Sequence, residues 1–294
     1  MINFKKLINF PYLILTILIS FYVNWKYASY GVYPIDTFFH YDSAYRILNG
    51  EYPVKDYWVV SGIFVDLLQA IFFKVLNVSW QSYIFHSSIL NALFAALTFY
   101  FLINMNLKKK FAFFYSISFS ILAYPVSGTP FVDLHATLFC VIATYFSILA
   151  IKKPEDYLNW FLVVSFYVFA FFSKIVPTAY FLILNSLVIS WYLLKNKEFK
   201  PFITIFISLL FYIFIFFLFL NFLNLKLNNV YIQLIDYPLS IGSGRFDIFI
   251  IELETFTNNY KFILIPLVIL FYFKINSVLK NKIKFFSSNF INFF

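Results

Sequence analysis

The sequence predicts an all-α membrane protein, a polytopic transmembrane bundle of about eight spans, from three observations. Hydrophobic residues make up 62% of the 294 residues, charged residues make up only 12%, and the mean hydropathy is +0.82. The apolar residues form long runs, and a helix needs about 20 of them to cross a bilayer. The charges lie almost entirely between these runs. Because the chain contains no repeat and no soluble domain, we expect a single transmembrane domain over 1–294.

Eight apolar runs are the predicted spans, and the shorter ones would need tilting or local thinning of the bilayer. In chain order they are 7–25, 83–106, 111–125, 136–151, 158–173, 178–194, 202–223 and 260–273. The first run follows Lys5 and Lys6, but it is too long for a signal peptide, and no small-residue cleavage site follows Trp25. We therefore expect it to remain as a membrane anchor.

The distribution of basic residues predicts the orientation of the bundle. If the N-terminus is cytoplasmic, the lysine-rich connections 108–110, 152–153 and 195–200 all face the cytoplasm, in agreement with the positive-inside rule. Most carboxylates then lie on the opposite face, which that rule does not require. We expect an integral protein of a bacterial cytoplasmic membrane, with its active face in the periplasm. The net charge of +9 is spread over these connections, so nucleic acid is not an expected partner.

Two long segments lie outside the membrane in this topology, a first outer loop over 26–82 and a later outer loop over 224–259. The first loop contains an apolar stretch, 62–77, that is interrupted by Asp66 and other polar residues. We predict an amphipathic helix here, lying in the membrane interface with Asp66 on a solvated polar face. In the connection at 124–135, proline and glycine residues indicate a turn.

Charged residues are most concentrated in the first outer loop, between Asp36 and Asp56. Asp36 begins a helix-like run that ends near Gly50, so its carboxylate is either a helix cap or a general base held at the membrane surface. His40 follows four residues later and therefore lies on the same helical face. Asp42 lies on a different face and is the second candidate for the base.

A longer pattern follows Asp36 along the loop. It consists of Arg46-Ile-Leu-Asn-Gly50-Glu-Tyr-Pro-Val-Lys-Asp56-Tyr-Trp, then Ser61-Gly62, an interfacial helix and a second span. This pattern resembles the first outer loop of the GT-C-fold glycosyltransferases, which include the protein O-mannosyltransferases and the aminoarabinose lipid A transferases. The resemblance covers about 7–105, and beyond that it extends only to the topology.

The resemblance implies a GT-C-like fold and a membrane enzyme that takes its sugar from a polyprenyl-phosphate donor. In that family the first-loop acid lies at the reaction centre and acts as general base, and Asp36 occupies that position here. Many members have Asp-Glu at this point, whereas this chain has Asp36-Thr37. The missing second acid leaves Asp42 as the alternative catalytic residue.

Transfer of a sugar to a hydroxyl on a lipid, glycan or protein needs a base near the nucleophile and positive charge near the phosphate. The residues predicted to bind the donor phosphate are Lys174, Arg245 and Arg46. Each of two of these residues has an alternative interpretation. Lys174 could equally be a lysine at a helix end that extends its ammonium to the membrane surface, and Arg245 could be an ordinary solvated charge in a loop. The residues predicted to bind the acceptor are Asp56, Asp133, His135 and His40.

The sequence leaves a divalent metal ion open as a cofactor, with Asp36 and His40 as ligands, although no recognised zinc spacing is present. We expect His86 to form hydrogen bonds between helices, and the lone Cys140 to be a buried core residue. Two other functions remain open. One is a non-catalytic membrane scaffold or truncated relative of such an enzyme, and the other is a transporter or flippase for lipid-linked sugars.

Overall fold

The computed structural model describes residues 11–30, 36–59, 61–124, 127–246 and 253–280. These ranges are almost entirely helical and contain no β-strand beyond an isolated bridge between Pro53 and Tyr57, which confirms the all-α class. The elements are α1 (Pro11–Ala28), α2 (Asp36–Leu48), α3 (Phe64–Leu76), α4 (Trp80–Asn104), α5 (Lys109–Ala123), α6 (Val132–Lys152), α7 (Tyr157–Ser173), α8 (Ile175–Asn196), α9 (Phe199–Leu223), α10 (Leu227–Tyr231), a π-helical turn (Ile232–Asp236), α11 (Tyr237–Phe246) and α12 (Leu253–Lys280).

Among the described residues, five helices are long and apolar enough to cross a membrane: α4, α6, α8, α9 and the segment Thr255–Phe273 of α12. They correspond to five of the eight predicted spans and indicate an integral membrane protein. The predicted span 158–173 forms the shorter apolar helix α7, of 17 residues. The predicted spans 7–25 and 111–125 overlap α1, which has 18 residues, and α5, which has 15. Five of the eight predicted spans are therefore supported by length and composition within the described part of the chain.

Helices α6 and α7 form the centre of the bundle. A short connection that contains Pro154 joins them. Trp160 is fully buried, and its Nε1 donates a hydrogen bond to the Pro154 carbonyl at 3.1 Å, which secures the start of α7. Phe146 of α6 stacks on Phe166 of α7, with ring centroids 5.5 Å apart. Cys140 is buried in the same core, as predicted.

Helix α1 packs on α4 through small polar side chains rather than through apolar side chains alone. The Asn24 amide donates to the hydroxyls of Ser87 and Ser88, at 3.0 Å and 3.1 Å. One turn deeper, the Asn91 amide donates to the Ser20 carbonyl at 2.9 Å. Small hydroxyl residues allow helix backbones to approach closely and form hydrogen bonds across the interface.

The stretch 62–77 forms a helix, α3, but the prediction that Asp66 lies on a solvated face is wrong. Asp66 and Gln69 are both fully buried, whereas Ile71 and Val75 on the other side of α3 are 59% and 73% exposed. The polar face is turned inward because Asp66 and Gln69 have polar partners on α2 and α4, described below.

The chain divides into two compact units, 1–238 and 239–294. The first contains α1 to α10 and the bundle described above. The second contains most of α11 and the whole of α12, in which Pro266 lies inside the helix. Proline removes one backbone hydrogen bond from a helix interior, and a bilayer-spanning helix tolerates this better than a soluble one.

Candidate functional site

Gly62 brings the first outer loop into direct contact with the end of α7. Its N–H donates to the Ser173 carbonyl at 3.1 Å. A Cβ atom at this position would overlap the carbonyl group of Phe172, so the close approach requires glycine. The loop that contains Asp56 is thereby held against the junction between α7 and α8.

Gln233 holds the same loop from the other side. It lies in the π-helical turn and is 8% exposed. Its Oε1 accepts a hydrogen bond from the Val59 N–H at 2.9 Å, and its Nε2 donates to the Val54 carbonyl at 3.1 Å. π-Helical turns are rare and occur frequently at functional sites. Gln233 is not among the residues predicted from the sequence, because one glutamine among apolar residues has no distinctive pattern.

A cleft lies between this loop and the segment around the π-helical turn. Its volume is about 400 Å³, and its lining residues are Val54, Lys55, Asp56, Tyr57, Trp58, Asn229, Ile232 and Gln233. The Trp58 ring is 47% exposed and packs edge-on against Tyr237, with ring centroids 5.4 Å apart. The cleft therefore combines one ammonium, one carboxylate and an accessible aromatic surface.

A smaller cavity adjoins the cleft at Gln233 and contains Lys174 and Ser61 in its lining. Lys174 lies at the extended break between α7 and α8, and its Nζ donates to Asp133 Oδ2 at 2.7 Å. Both side chains remain partly exposed, at 35% and 42%. The sequence analysis placed Lys174 at the phosphate and Asp133 at the acceptor, and the structure joins the two directly. The Ser61 hydroxyl is buried and has no hydrogen-bond partner among the described residues.

The two carboxylates predicted as bases on α2 have different surroundings. Asp42 accepts a hydrogen bond from Arg46 Nε at 2.8 Å, and this bond is the main reason why the pKa of Arg46 is raised. Arg46 also forms an ion pair with Glu51, in which Nη1 of Arg46 lies 3.4 Å from Oε2 of Glu51. Asp36 is exposed in the first turn of α2 and has no ion pair with any residue in the described ranges.

Asp56 has a clear local role in the loop. Its Oδ2 accepts a hydrogen bond from the Tyr52 N–H at 2.8 Å, and its own N–H donates to the Tyr52 carbonyl at 2.9 Å. Tyr57 donates its hydroxyl proton to the Ser43 carbonyl at 3.3 Å. Burial raises the pKa of Tyr57 to about 12, so this donor stays protonated at physiological pH. The bond from Tyr57 to Ser43 connects the loop to α2.

All three histidines of the chain lie in one buried polar cluster between α2, α3, α4 and α6. His40 Nδ1 is 2.7 Å from Asp66 Oδ1, and His86 Nδ1 is 2.8 Å from Gln69 Oε1. His86 Nε2 lies 3.3 Å from His135 Nε2, which confirms the predicted hydrogen bonding of His86 between helices.

His135, which the sequence analysis assigned to the acceptor, is fully buried inside this cluster rather than exposed at the cleft. Its Nδ1 lies 2.8 Å from the Tyr124 hydroxyl and 2.9 Å from the Phe131 carbonyl. His40 is 3% exposed and is likewise inside. Within the described ranges, no group of three or more His, Cys, Asp or Glu side chains is arranged to hold a metal ion.

Arg245 lies in α11, within the unit 239–294, and its side chain is outside the described residues. Its predicted role at the donor phosphate therefore stays a prediction.

No family model matches this chain, and it has no match among curated proteins or solved structures. The resemblance to GT-C enzymes therefore depends on the sequence pattern over about 7–105 alone.

Proposed function

We propose that this protein is a membrane glycosyltransferase that transfers a sugar from a polyprenyl-phosphate donor to a hydroxyl on a lipid, glycan or protein. The observation that supports this most is the cleft between the first outer loop and the π-helical turn, with the Lys174–Asp133 pair beside it. We further propose a GT-C-like bundle of about eight spans, with this end of the molecule outside the cytoplasm.

The cleft has the size and lining that a sugar needs. A volume of about 400 Å³ is within the range of roughly 300–1,000 Å³ that is usual for small-molecule sites. The exposed Trp58 ring supplies an apolar surface for one face of a sugar ring. Lys55, Asp56 and Asn229 supply polar groups at the edges, where sugar hydroxyls would bind.

The donor phosphate would bind at Lys174, beside the small cavity that adjoins the cleft. Lys174 is a partly exposed ammonium held in place by Asp133, and Ser61, whose hydroxyl is buried without a partner among the described residues, belongs to the same lining. An ammonium and a hydroxyl stabilise the charge that develops on a phosphate leaving group. Helices α8 and α9 follow directly, and their exposed apolar side chains, such as Leu184 at 66% and Phe206 at 53%, suit contact with a polyprenyl chain in the bilayer.

The proposed general base is Asp36. The acceptor hydroxyl oxygen attacks the anomeric carbon of the sugar, and its proton passes to the Asp36 carboxylate. The bond between the anomeric carbon and the phosphate oxygen breaks, and polyprenyl phosphate leaves with the electron pair. Asp36 is preferred to Asp42 because Asp42 is already bonded to Arg46, whereas Asp36 is exposed and without an ion pair in the described part of the chain.

The proposal is tested by incubating the purified full chain with sugar-labelled polyprenyl phosphates and hydroxyl acceptors. Asp36→Asn removes the base without changing the size of the side chain, and we expect kcat to fall by about 1,000-fold. Asp42→Asn is the matched control on the same helix and should keep nearly full transfer. If the wild-type protein transfers no sugar, the function is refuted. If Asp36→Asn leaves turnover unchanged, the base is wrongly assigned.

A further inference from the structure

We infer that Gln233 is a latch on the cleft, and that the turn 53–57 is the gate that this latch holds closed. The gate follows from the contacts that form the cleft, whereas the passage of a sugar through it rests on the proposed function. The Gln233 side chain joins two unusual backbone conformations, one on each wall of the cleft.

The first unusual conformation is that of Val54 in the gate. Its φ is +74°, in the left-handed region that a β-branched residue strongly disfavours. The Val54 side chain is 3% exposed and belongs to the same apolar cluster as Leu220 and Leu234. Such strain persists only where the surrounding structure imposes it. The gate is therefore held in a conformation that its own sequence does not favour.

The second unusual conformation is the π-helical turn on the opposite wall. The Tyr237 N–H donates to the Ile232 carbonyl, five residues earlier in the chain instead of four. Turns of this kind are rare, and they occur frequently at functional sites. From this segment Gln233 enters the lining of the cleft, and Tyr237 packs against Trp58.

Gln233 connects the two walls through both polar atoms of its amide. Its Nε2 donates to the carbonyl of Val54, the strained residue itself, at 3.1 Å, and its Oε1 accepts from the Val59 N–H at 2.9 Å. The Val54 N–H donates to the Tyr57 carbonyl at 3.1 Å and closes the turn. Because both bonds between the walls belong to one side chain, a single change of rotamer breaks them together.

Release of Gln233 relieves the strain at Val54. Strain of this kind is comparable in size with one or two hydrogen bonds, so the closed and open conformations differ little in free energy. In the open conformation Val54 returns to negative φ, and the segment 54–58, which forms one wall, moves away from the cleft. A ligand that contacts both walls shifts this equilibrium toward the closed gate.

The contacts on either side confine the motion to the gate. The Tyr52 N–H donates to Asp56 Oδ2, and the Asp56 N–H donates to the Tyr52 carbonyl, so these two bonds are local to the turn and can move with it. After the gate, the Gly62 N–H is bonded to the Ser173 carbonyl at the end of α7. The chain beyond Gly62 therefore stays in place when the gate opens.

The experiment uses the tolerance of glycine for positive φ. Val54→Gly and Val54→Ala both remove the apolar side chain, but only glycine adopts the left-handed conformation without strain. Each is combined with Gln233→Ala, and hydrogen exchange of the segment 54–59 is measured by mass spectrometry on the purified full chain without substrate. We expect Gln233→Ala alone to speed exchange about tenfold, the effect of losing roughly one hydrogen bond. Asn229→Ala, in the same lining, is the control and should leave exchange unchanged.

The two double variants decide between a strained latch and an ordinary contact. After correction for intrinsic exchange rates, the glycine variant should exchange about fivefold more slowly than the alanine variant, since alanine is strained at positive φ. Without strain at residue 54, glycine is the more flexible residue and exchanges faster. Equal exchange, or faster exchange in the glycine variant, therefore overturns the latch.

Two further measurements apply if the double variants do not fold. The single variants Val54→Gly and Val54→Ala keep Gln233 and should differ in the same direction. In the wild-type protein, the segment 54–59 should exchange by local opening, faster than the core of α6. Exchange of this segment only through global unfolding overturns the gate.

The outcomes separate this inference from the proposed function, because exchange is measured without substrate. A slower glycine variant in a protein that transfers no sugar supports the gate and refutes the transferase. In an active enzyme, the glycine double variant should have a KM for the sugar donor about fivefold below that of the alanine double variant, at equal kcat. Equal KM values would overturn the passage of the sugar through the gate.

Discussion

The two halves of the first outer loop are held to the bundle in different ways. Helix α2 is attached through a buried side-chain contact, His40 Nδ1 with Asp66 Oδ1, and carries exposed charges on its surface. The following segment is attached through neutral contacts, from Gln233 and from the N–H of Gly62. The second half lines the cleft, whereas none of the described residues in that lining belongs to α2.

The largest expected effect on folding is at the neutral attachment of Gly62. In Gly62→Ala, the new methyl group overlaps the Phe172 carbonyl, so the loop must move away from the end of α7. We expect a loss of about 3 kcal/mol in the free energy of unfolding, the upper part of the range for overpacking. Thermal unfolding in detergent measures this. Gly50→Ala is the control, because a Cβ at Gly50 meets no atom within 4 Å, although its φ of +84° adds some strain of its own. Equal stability of Gly62→Ala and the wild type would contradict the close contact.

The next effect is at Gln233. Gln233→Ala leaves the Val59 N–H and the Val54 carbonyl without their partner, at a cost of about 2 kcal/mol. We expect a lower melting temperature and a raised KM for the sugar substrate, because the cleft wall loosens. Asn229→Ala, in the same lining, should leave the melting temperature unchanged. A variant of Gln233 with normal stability and normal KM would show that the loop is held by other contacts.

A smaller effect is expected at Lys174. Lys174→Gln removes the ammonium beside the small cavity and should raise the KM for the polyprenyl-phosphate donor about tenfold, the value of one hydrogen bond to a charged group. Lys174→Arg keeps the charge and should stay close to the wild type. If both variants behave alike, Lys174 only snorkels from the end of α7.

The smallest effect is expected at the exposed charges of α2. Arg46→Gln breaks ion pairs with Asp42 and Glu51 in which all three side chains are about half exposed. Solvent screens such pairs, so we expect no measurable change in melting temperature. A change in donor KM would instead support the predicted phosphate-binding role of Arg46. A large loss of stability would contradict the view that α2 is attached mainly through His40 and Asp66.

Local sequence was sufficient for the helices and for several individual residues. The run that begins at Asp36 forms α2, which ends at Leu48. Gly50 follows the helix and has a φ of +84°. His86 and Cys140 have the environments predicted for them, because both follow from the apolar runs around them. Five predicted spans coincide with described helices that are long and apolar enough to cross a bilayer, since a bilayer imposes a length and composition that a single run of residues displays.

The candidate site depended on contacts between residues far apart in the chain. Lys174 and Asp133 are 41 positions apart, and Val59 and Gln233 are 174 apart. The prediction of a solvated polar face on α3 was wrong for the same reason. The partner of Asp66 is on α2 and the partner of Gln69 is on α4, so both side chains are turned into the protein.

By itself, the sequence determined that this chain is helical, that it belongs in a membrane, and that carboxylates and cations gather in its first outer loop. Hydrophobic run length and local charge are properties of neighbouring residues, so one chain segment is enough to display them. Only the tertiary structure decided which charges meet, which histidines are buried, and that a π-helical glutamine closes one wall of the cleft. Those outcomes follow from helix packing, which pairs side chains by their position in space rather than in sequence.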